Sequence, residues 1–246
     1  MLAEIIAVGS ERLTPFRQDT NSLFLTEQLN SLGVAVVFKT IVGDRKTHLV
    51  QAVSYPVGRA DIVCVSGGLG PTEDDLTREA VAEALGVRLR RNGDLLAALY
   101  KRFAERRASM PANNSKQADL IDGSEFLLNA NGSAPGQWLD IVVGEHRKLV
   151  ILLPGPPVEL KAMFTAECLP RLAAALPPRH IARRVLKMAM LPESEVDARV
   201  APIYTRFTDV DTTILAHPGE VQLHLQCTKA ILEVAEARNR KSIVEG

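Results

Sequence analysis

The sequence predicts an α/β protein: a mostly parallel sheet covered on both faces, followed by a small α+β unit. Three observations carry that expectation. From Leu2 to Leu176, short continuous apolar runs alternate with segments of helical period, the pattern of parallel strands buried on both faces. Several apolar runs end in segments rich in glycine or proline. Beyond Pro177-Pro178 the alternation gives way to closely spaced strand-like runs around a turn.

Taken in order, Leu2–Val8 is an apolar run closed by Gly9, the first strand. Asn21–Leu32 repeats Leu25, Leu29 and Leu32 at helical spacing, and Gly33 stops it. Val34–Val42 is β-branched and strand-like. Thr47–Gly58 holds a helix expected to end near Pro56, because proline removes an N–H and crowds the preceding turn. Asp61–Val65 is a buried strand running into Gly67-Gly68-Leu69-Gly70. Thr77–Leu85 is a helix ended by Gly86, and Asp94–Arg107 a second, basic helix. Val150–Leu153 is a buried strand ending at Pro154-Gly155-Pro156-Pro157, and Val158–Leu176 a helix bent at Pro170. In the second unit, Ala182–Met190, Asp211–Ala216 and Val221–Thr228 read as strands. His217-Pro218-Gly219-Glu220 reads as a turn, Glu193–Ala201 as a short helix and Ile231–Lys241 as a polar final helix. The domains are therefore expected at residues 1–176 and 178–246.

Composition narrows the function classes. Of 246 residues, 46% are hydrophobic and 24% charged, which excludes a mostly disordered chain. Twenty-nine basic residues balance 29 acidic ones, and neither part has a basic excess, so a nucleic-acid or anionic-membrane partner is not expected. No apolar run approaches the ~18 residues of a membrane span. Glu4 and the lack of a leading positive region argue against a signal peptide. A cytoplasmic protein is expected, with Cys64, Cys168 and Cys227 as buried free thiols. The arginines and lysines between Arg88 and Arg107 read as a solvated helix face.

In open parallel sheets, ligands bind outside the carboxyl ends of the strands. Four unusual segments follow strand-like runs and are expected on that rim: Gly9–Asn21, Gly43-Asp44, Ser66–Thr77 and Pro154–Pro157. In Ser66–Thr77, Gly67, Gly68 and Gly70 suit backbone N–H groups turned towards an anion, and Thr72 begins the approach to a helix N-terminus. The alternative is a tight turn capped by Thr72, with Asp75 closing a capping box. Glu73, Asp74 and Asp75 follow directly, and close carboxylates repel one another. Glu73 suits a helix start, whereas Asp74 and Asp75 suit a divalent cation bridging carboxylate and phosphate oxygens. Glu11, Asp19 and Asp44 would complete a metal shell, bind ribose hydroxyls or serve as turn and cap residues. A fifth segment, Asn113–Gln117, offers amide donors and Lys116 for phosphate recognition. Gly132–Gly136 is a weaker candidate loop. The five histidines form no pair at metal-ligand spacing, and no nucleophile-elbow serine or cysteine–histidine pair is present, so covalent hydrolysis is disfavoured.

Ser66-Gly67-Gly68-Leu69-Gly70-Pro71-Thr72-Glu73-Asp74-Asp75-Leu76-Thr77 resembles the signature of the N-terminal domain of the competence-damage-inducible protein CinA family. Further matches follow in order. They are Gly9-Ser10-Glu11 with Asp19-Thr20-Asn21, Val42-Gly43-Asp44, Asn113–Ala118, and Gly132–Gly136 followed by Leu153–Pro157. Together they span residue 1 to about residue 175. That family is similar in turn to molybdopterin-binding proteins of molybdenum cofactor synthesis, whose glycine loop and aspartates match Gly67, Gly68, Gly70, Asp75 and Asp44. The resemblance implies a three-layer α/β/α domain and a KH-like second domain serving structure or a homodimer.

The activity it implies is hydrolysis of ADP-ribose to AMP and ribose 5-phosphate, dependent on a divalent metal such as magnesium or cobalt, with water as nucleophile. The expected catalytic residues are Asp75, Lys116 and Asp44. Expected ligand contacts are Gly67, Gly68, Gly70, Thr72, Asn21, Asn114, Gln117 and Gly155. Expected metal ligands are Asp74, Asp75 and Glu11. The alternatives are a molybdopterin-binding protein and a non-catalytic nucleotide-binding scaffold. Two departures stand out. Ser10 replaces an aspartate common in the family, and the nicotinamide-nucleotide amidase domain of larger members is missing from this sequence, so that activity is not expected.

Overall fold

The structure is a computed structural model and describes residues 1–177 and 179–229. Its chain forms two compact units, Met1–Leu29 with Val34–Leu172, and Asn30–Gly33 with Ala173 onwards.

In the first unit the strands are β1 (Leu2–Val8), β2 (Ala35–Val42), β3 (Ile62–Ser66), β4 (Leu89–Arg91), β5 (Asp119–Ile121), β6 (Ser124–Leu127), β7 (Gly136–Val143) and β8 (His146–Leu153). Six of them form one sheet in the order β2-β1-β3-β8-β7-β6. The first four are parallel, and β7 and β6 add an antiparallel edge. β4 and β5 pair separately. The helices are α1 (Thr20–Ser31), α2 (Lys46–Arg59), α3 (Thr77–Leu85), α4 (Gly93–Glu105), α5 (Pro157–Met163) and α6 (Leu169–Ala175).

Alternation within the strands explains the layers. Ile6, Val63, Val65, Val150 and Leu152 pack with Leu49 and Val53 of α2 and Ala80 and Val81 of α3 in one buried cluster. The intervening residues Ile5, Cys64 and Ile151 are also fully buried. Both faces of the sheet are therefore covered, and the central strands read as unbroken apolar runs. All three cysteines are free and buried, and burial pushes the Cys64 thiol up to about 12.

Several elements differ from the sequence expectation. α2 continues through Pro56 to Arg59: the proline forfeits one hydrogen bond, while Val57 is buried and the Ala60 N–H reaches the Pro56 carbonyl at 2.8 Å. The irregularity expected at Pro170 lies one turn earlier, as a π-helical turn at Phe164–Cys168. β6 and β7 occupy a stretch read only as the Gly132–Gly136 loop and its surroundings. Asn113–Gln117 lies within a 3₁₀-helical segment, Ala112–Ala118. The basic stretch is partly consumed by structure. Arg90 pairs with Asp122, Arg91 with Asp119, and Arg102 donates to the carbonyls of Asn129 and Ala130.

The second unit carries β9 (His180–Ala189), α7 (Glu193–Tyr204), β10 (Asp211–His217) and β11 (Glu220–Lys229). Its antiparallel sheet has the order β10-β11-β9. Val221, Leu223, Leu225 and Cys227 are buried and alternate with half-buried polar residues, as one covered face requires. The expected helix at Ile231–Lys241 lies outside the described residues. Among the described residues no helix is long and apolar enough to cross a membrane.

Candidate functional site

Strand order places the site. From β1 the chain moves to β2 on one side, then returns to β3 on the other side of β1. Beyond the carboxyl ends of β1 and β3 the connections diverge, and such a switch point opens a crevice. A cavity of about 450 Å³ lies there. Its lining comes from the segments that follow β1, β2, β3 and β8, including Gly9, Asp44, Gly67 and Gly155.

The loop after β3 needs its glycines. Gly67 has φ of 108°, and a Cβ there would strike the Val8 carbonyl oxygen where β1 and β3 end side by side. Gly68 has φ of 66° and stands against the Thr77 hydroxyl. That hydroxyl donates to the Gly67 carbonyl at 2.8 Å. Behind the loop, Arg78 is fully buried and donates to the carbonyls of Leu69 at 2.8 Å and Gly70 at 3.0 Å. Burial pushes its guanidinium below the ordinary value, against the opposing pull of Glu79, Asp75 and Asp119. Lys116 donates to the carbonyls of Thr72 at 2.7 Å and Asp75 at 2.8 Å. Two cations thus hold four carbonyls of one loop.

The expected anion cradle keeps Gly67 and Gly68 on the cavity wall. Several N–H groups of the segment already have internal acceptors. Gly67 donates to the Leu153 carbonyl at 2.9 Å, Thr72 to the Asp75 carboxylate at 3.0 Å, and Thr77 to the Gly68 carbonyl at 3.2 Å. The loop presents Gly67, Gly68, Thr72, Asp74 and Asp75 to the cavity. The Thr72 hydroxyl lies within hydrogen-bond distance of both carboxylates. A hydroxyl has one proton and serves one acceptor at a time. The Thr72 hydroxyl, the Asp74 backbone and Lys116 hold the Asp74 carboxyl below the usual carboxylate range.

Glu11, Asp44, Gly67, Gly68, Thr72, Asp74, Asp75 and Gly155 line the one cavity. Other expected site residues lie elsewhere. Lys116 faces the loop carbonyls rather than the cavity, since its ammonium donates to Thr72 and Asp75. Asn114 and Gln117 are buried and hydrogen-bonded to each other at 3.2 Å. Asn21 is buried and ties Ser66 on β3 to the Gly155 carbonyl after β8, at 2.9 and 2.8 Å. Gly70 packs against the Asp75 carboxylate. Ser10 and Asp44 bond reciprocally: the Ser10 N–H donates to the Asp44 carboxylate at 2.8 Å, and the Asp44 N–H to the Ser10 hydroxyl at 3.2 Å. Ser10 therefore fastens the rim of β1 to that of β2.

For the implied metal, no group of three histidine, cysteine or carboxylate side chains converges among the described residues. Asp74 and Asp75 supply two carboxylates around Thr72, and magnesium is commonly held by one or two carboxylates with phosphate oxygens completing the shell. The pair fits that smaller requirement. Glu11 instead stands beside Arg12, at 3.7 Å.

Sequence reasoning missed Arg12 and Arg17, which line the cavity from the loop after β1. The available signal was two arginines between Gly9 and Asp19, in a segment already assigned to the rim. Asp19 organises this loop. One carboxylate oxygen accepts from the Ser22 N–H at 3.1 Å, capping α1, and from Arg12 at 3.0 Å. The cavity thus carries Arg12, Arg17 and Glu11 on the β1 loop, Asp44 after β2 and the Asp74–Asp75 pair on the β3 loop.

Residues 4–174 match the family described as the probable molybdopterin binding domain. The crystallised protein CinA of unknown function from Thermoplasma acidophilum is 34% identical, with a TM-score of 0.62, and the match covers 67% of this chain and 94% of that one. The chain belongs to the CinA-like family.

A CinA-like protein of Acidobacterium capsulatum is 64% identical over 97% of this chain and 58% of its own length. A putative competence-damage inducible protein of Lysinibacillus sphaericus is 42% identical over 92% of this chain and 53% of its own. The chain spans about half the length of the curated relatives it matches. In this CinA-like chain, the family match covers all the elements that build the cavity.

Proposed function

We propose that the rim cavity binds a phosphorylated small molecule with a planar nitrogen heterocycle, molybdopterin being the first candidate. The observation that carries this reading is a cavity at the β1–β3 switch point lined by two arginines and four carboxylates. Its volume of about 450 Å³ suits such a ligand. Carboxylates accept hydrogen bonds from ring N–H and amino groups, and Arg12 and Arg17 suit an anion. The probable molybdopterin binding domain match supports the pterin. Calorimetric titration of the full chain with molybdopterin tests the reading. Saturable binding that weakens about tenfold or more in Asp75→Ala is expected, from the loss of a charged acceptor. No binding to the folded chain overturns it.

A second reading is metal-assisted hydrolysis of ADP-ribose to AMP and ribose 5-phosphate. It is favoured by the two carboxylates that share the single Thr72 proton, an arrangement a cation relieves. When bound there, a divalent cation supplies neutralisation of diphosphate charge. Asp74 and Asp75 would hold it, and Lys116 and Arg78 keep their loop fixed. AMP release is to be measured with magnesium, with cobalt and with chelator. Release that depends on metal and is lost in Asp75→Ala supports this reading, and its absence under every condition removes it. A homodimer is also proposed from the family resemblance, and light scattering measures it directly.

A further inference from the structure

The loop between β1 and α1 holds an arginine whose surroundings are unlike those of any surface cation described above. Arg12 has a side chain only 9% exposed, yet it lines the cavity. One terminal nitrogen is bound to Asp19, and the buried Nε has no hydrogen-bond partner. A buried donor without an acceptor costs free energy, so its retention beside a cavity calls for an acceptor. The Glu11 carboxylate lies 3.7 Å from Nε, and its side chain is 55% exposed. That distance is too long for a hydrogen bond. Glu11 thus stands where an anionic oxygen would lie, without making the bond. Arg17 faces the same cavity from the same loop. In the glycine loop the Gly67 N–H is engaged by the Leu153 carbonyl, and Asp74 and Asp75 turn carboxylates to the cavity, which repel an anion.

We propose that Arg12, oriented by Asp19, and Arg17 form the phosphate-recognition arm of this site, so that the ligand's phosphate lies against the β1 loop and not in the glycine loop. This rests on the reading of the cavity as a site for a phosphorylated small molecule. It assigns the ligand a direction: phosphate or diphosphate at Arg12 and Arg17, donor-bearing ring or sugar at Asp74 and Asp75. Asp19 couples the arm to the helix cap, so the guanidinium is held in place before the ligand arrives. Glu11 is then a competitor for Arg12, contrary to the metal-ligand role expected of it from the sequence.

The test uses the full chain and inorganic pyrophosphate as probe, followed by calorimetry and by ³¹P NMR. Saturable binding is expected, weakened about tenfold or more in Arg12→Gln and several-fold in Arg17→Gln, since a charge-assisted bond is lost in each. Glu11→Gln should bind pyrophosphate about two- to fivefold more tightly, because a neighbouring like charge is removed. Arg17 and Glu11 are exposed loop residues, so these variants report even where Arg12→Gln unfolds. Molybdopterin and ADP-ribose are titrated in parallel. Should either bind the wild-type chain, and bind Arg12→Gln and Arg17→Gln equally well without competition from pyrophosphate, the arm is overturned and the ligand reading stands. Pyrophosphate binding that depends on both arginines, with no binding of either larger ligand, keeps the arm and removes those ligands. Weaker pyrophosphate binding in Glu11→Gln counts against the arm and for a role of Glu11 in holding a cation.

Discussion

The two ends of the main sheet treat charge in opposite ways. At the amino end the charged groups close on one another and on the backbone. Glu4, in the middle of β1 and 1% exposed, takes two hydrogen bonds from Arg59, at 2.6 and 3.0 Å. Arg59 also lies 4.1 Å over the Phe38 ring. Buried Lys148 donates to the Ala60 carbonyl at 2.7 Å, and Asp61 accepts from the Leu2 N–H at 2.8 Å. At the carboxyl end the same strands finish in Asp44, Asp74, Asp75, Arg12 and Arg17, which face a cavity. Charges of the first kind hold strands together, whereas those of the second kind are held in place by other residues. Arg78, Lys116 and Asp19 do that holding. Charge on a parallel sheet thus becomes available to a ligand only where a further set of polar groups satisfies the backbone around it.

The comparison is broken most severely at Arg78. Arg78→Met leaves the Leu69 and Gly70 carbonyls without donors inside the protein, and should cost about 2–4 kcal/mol in urea denaturation while abolishing ligand binding. Loss of binding with unchanged stability would show that the loop is not held from behind. The amino end should respond differently. Arg59→Ala leaves a buried carboxylate without its partner and should lower stability in urea denaturation, by less than the Arg78 change because Arg59 is half exposed. Ligand affinity should not change, and a fall in affinity would link the two ends. The smallest effect is electrostatic. The Thr72 hydroxyl is the main cause of the depressed Asp74 value, so Thr72→Val should raise it towards the usual carboxylate range, as followed by carboxyl ¹³C NMR. A depressed carboxylate contributes stability above its unfolded value and loses it as pH falls through the folded one. In the variant that loss moves to higher pH, and an unchanged titration would assign the depression to Lys116 and the Asp74 backbone instead.

Glycine positions show how much was legible. Gly86 follows the helical run Thr77–Leu85 in the sequence, and it ends that helix with φ of 68° and its N–H on the Ala82 and Glu83 carbonyls. The first-strand run Leu2–Val8 is the observed β1, because a strand buried on both faces leaves an unbroken apolar string. The hairpin β6–β7 was not legible. Gly136–Val143 mixes Gln137 and Asp140 with apolar residues, and it is a strand because it pairs with β8. Gln137 is fully buried because the Ile121 N–H and the Ser124 hydroxyl both find its carbonyl oxygen and its amide N–H finds the Asp119 carbonyl.

From the sequence alone came the α/β class, the rim position of the segments after β1, β2, β3 and β8, and the carboxylates that line it. These are local properties: periodicity, glycine at left-handed turns, and residue type. Tertiary structure alone decided which polar groups serve the cavity and which serve the fold. Lys116 and Asn21 look as available in the sequence as Arg12 and Arg17. The difference is whether a carbonyl from a distant segment arrives to meet them. Gly155 reaches Asn21 across 134 residues and Thr72 reaches Lys116 across 44, and such encounters are set by strand order rather than by any neighbour in the chain.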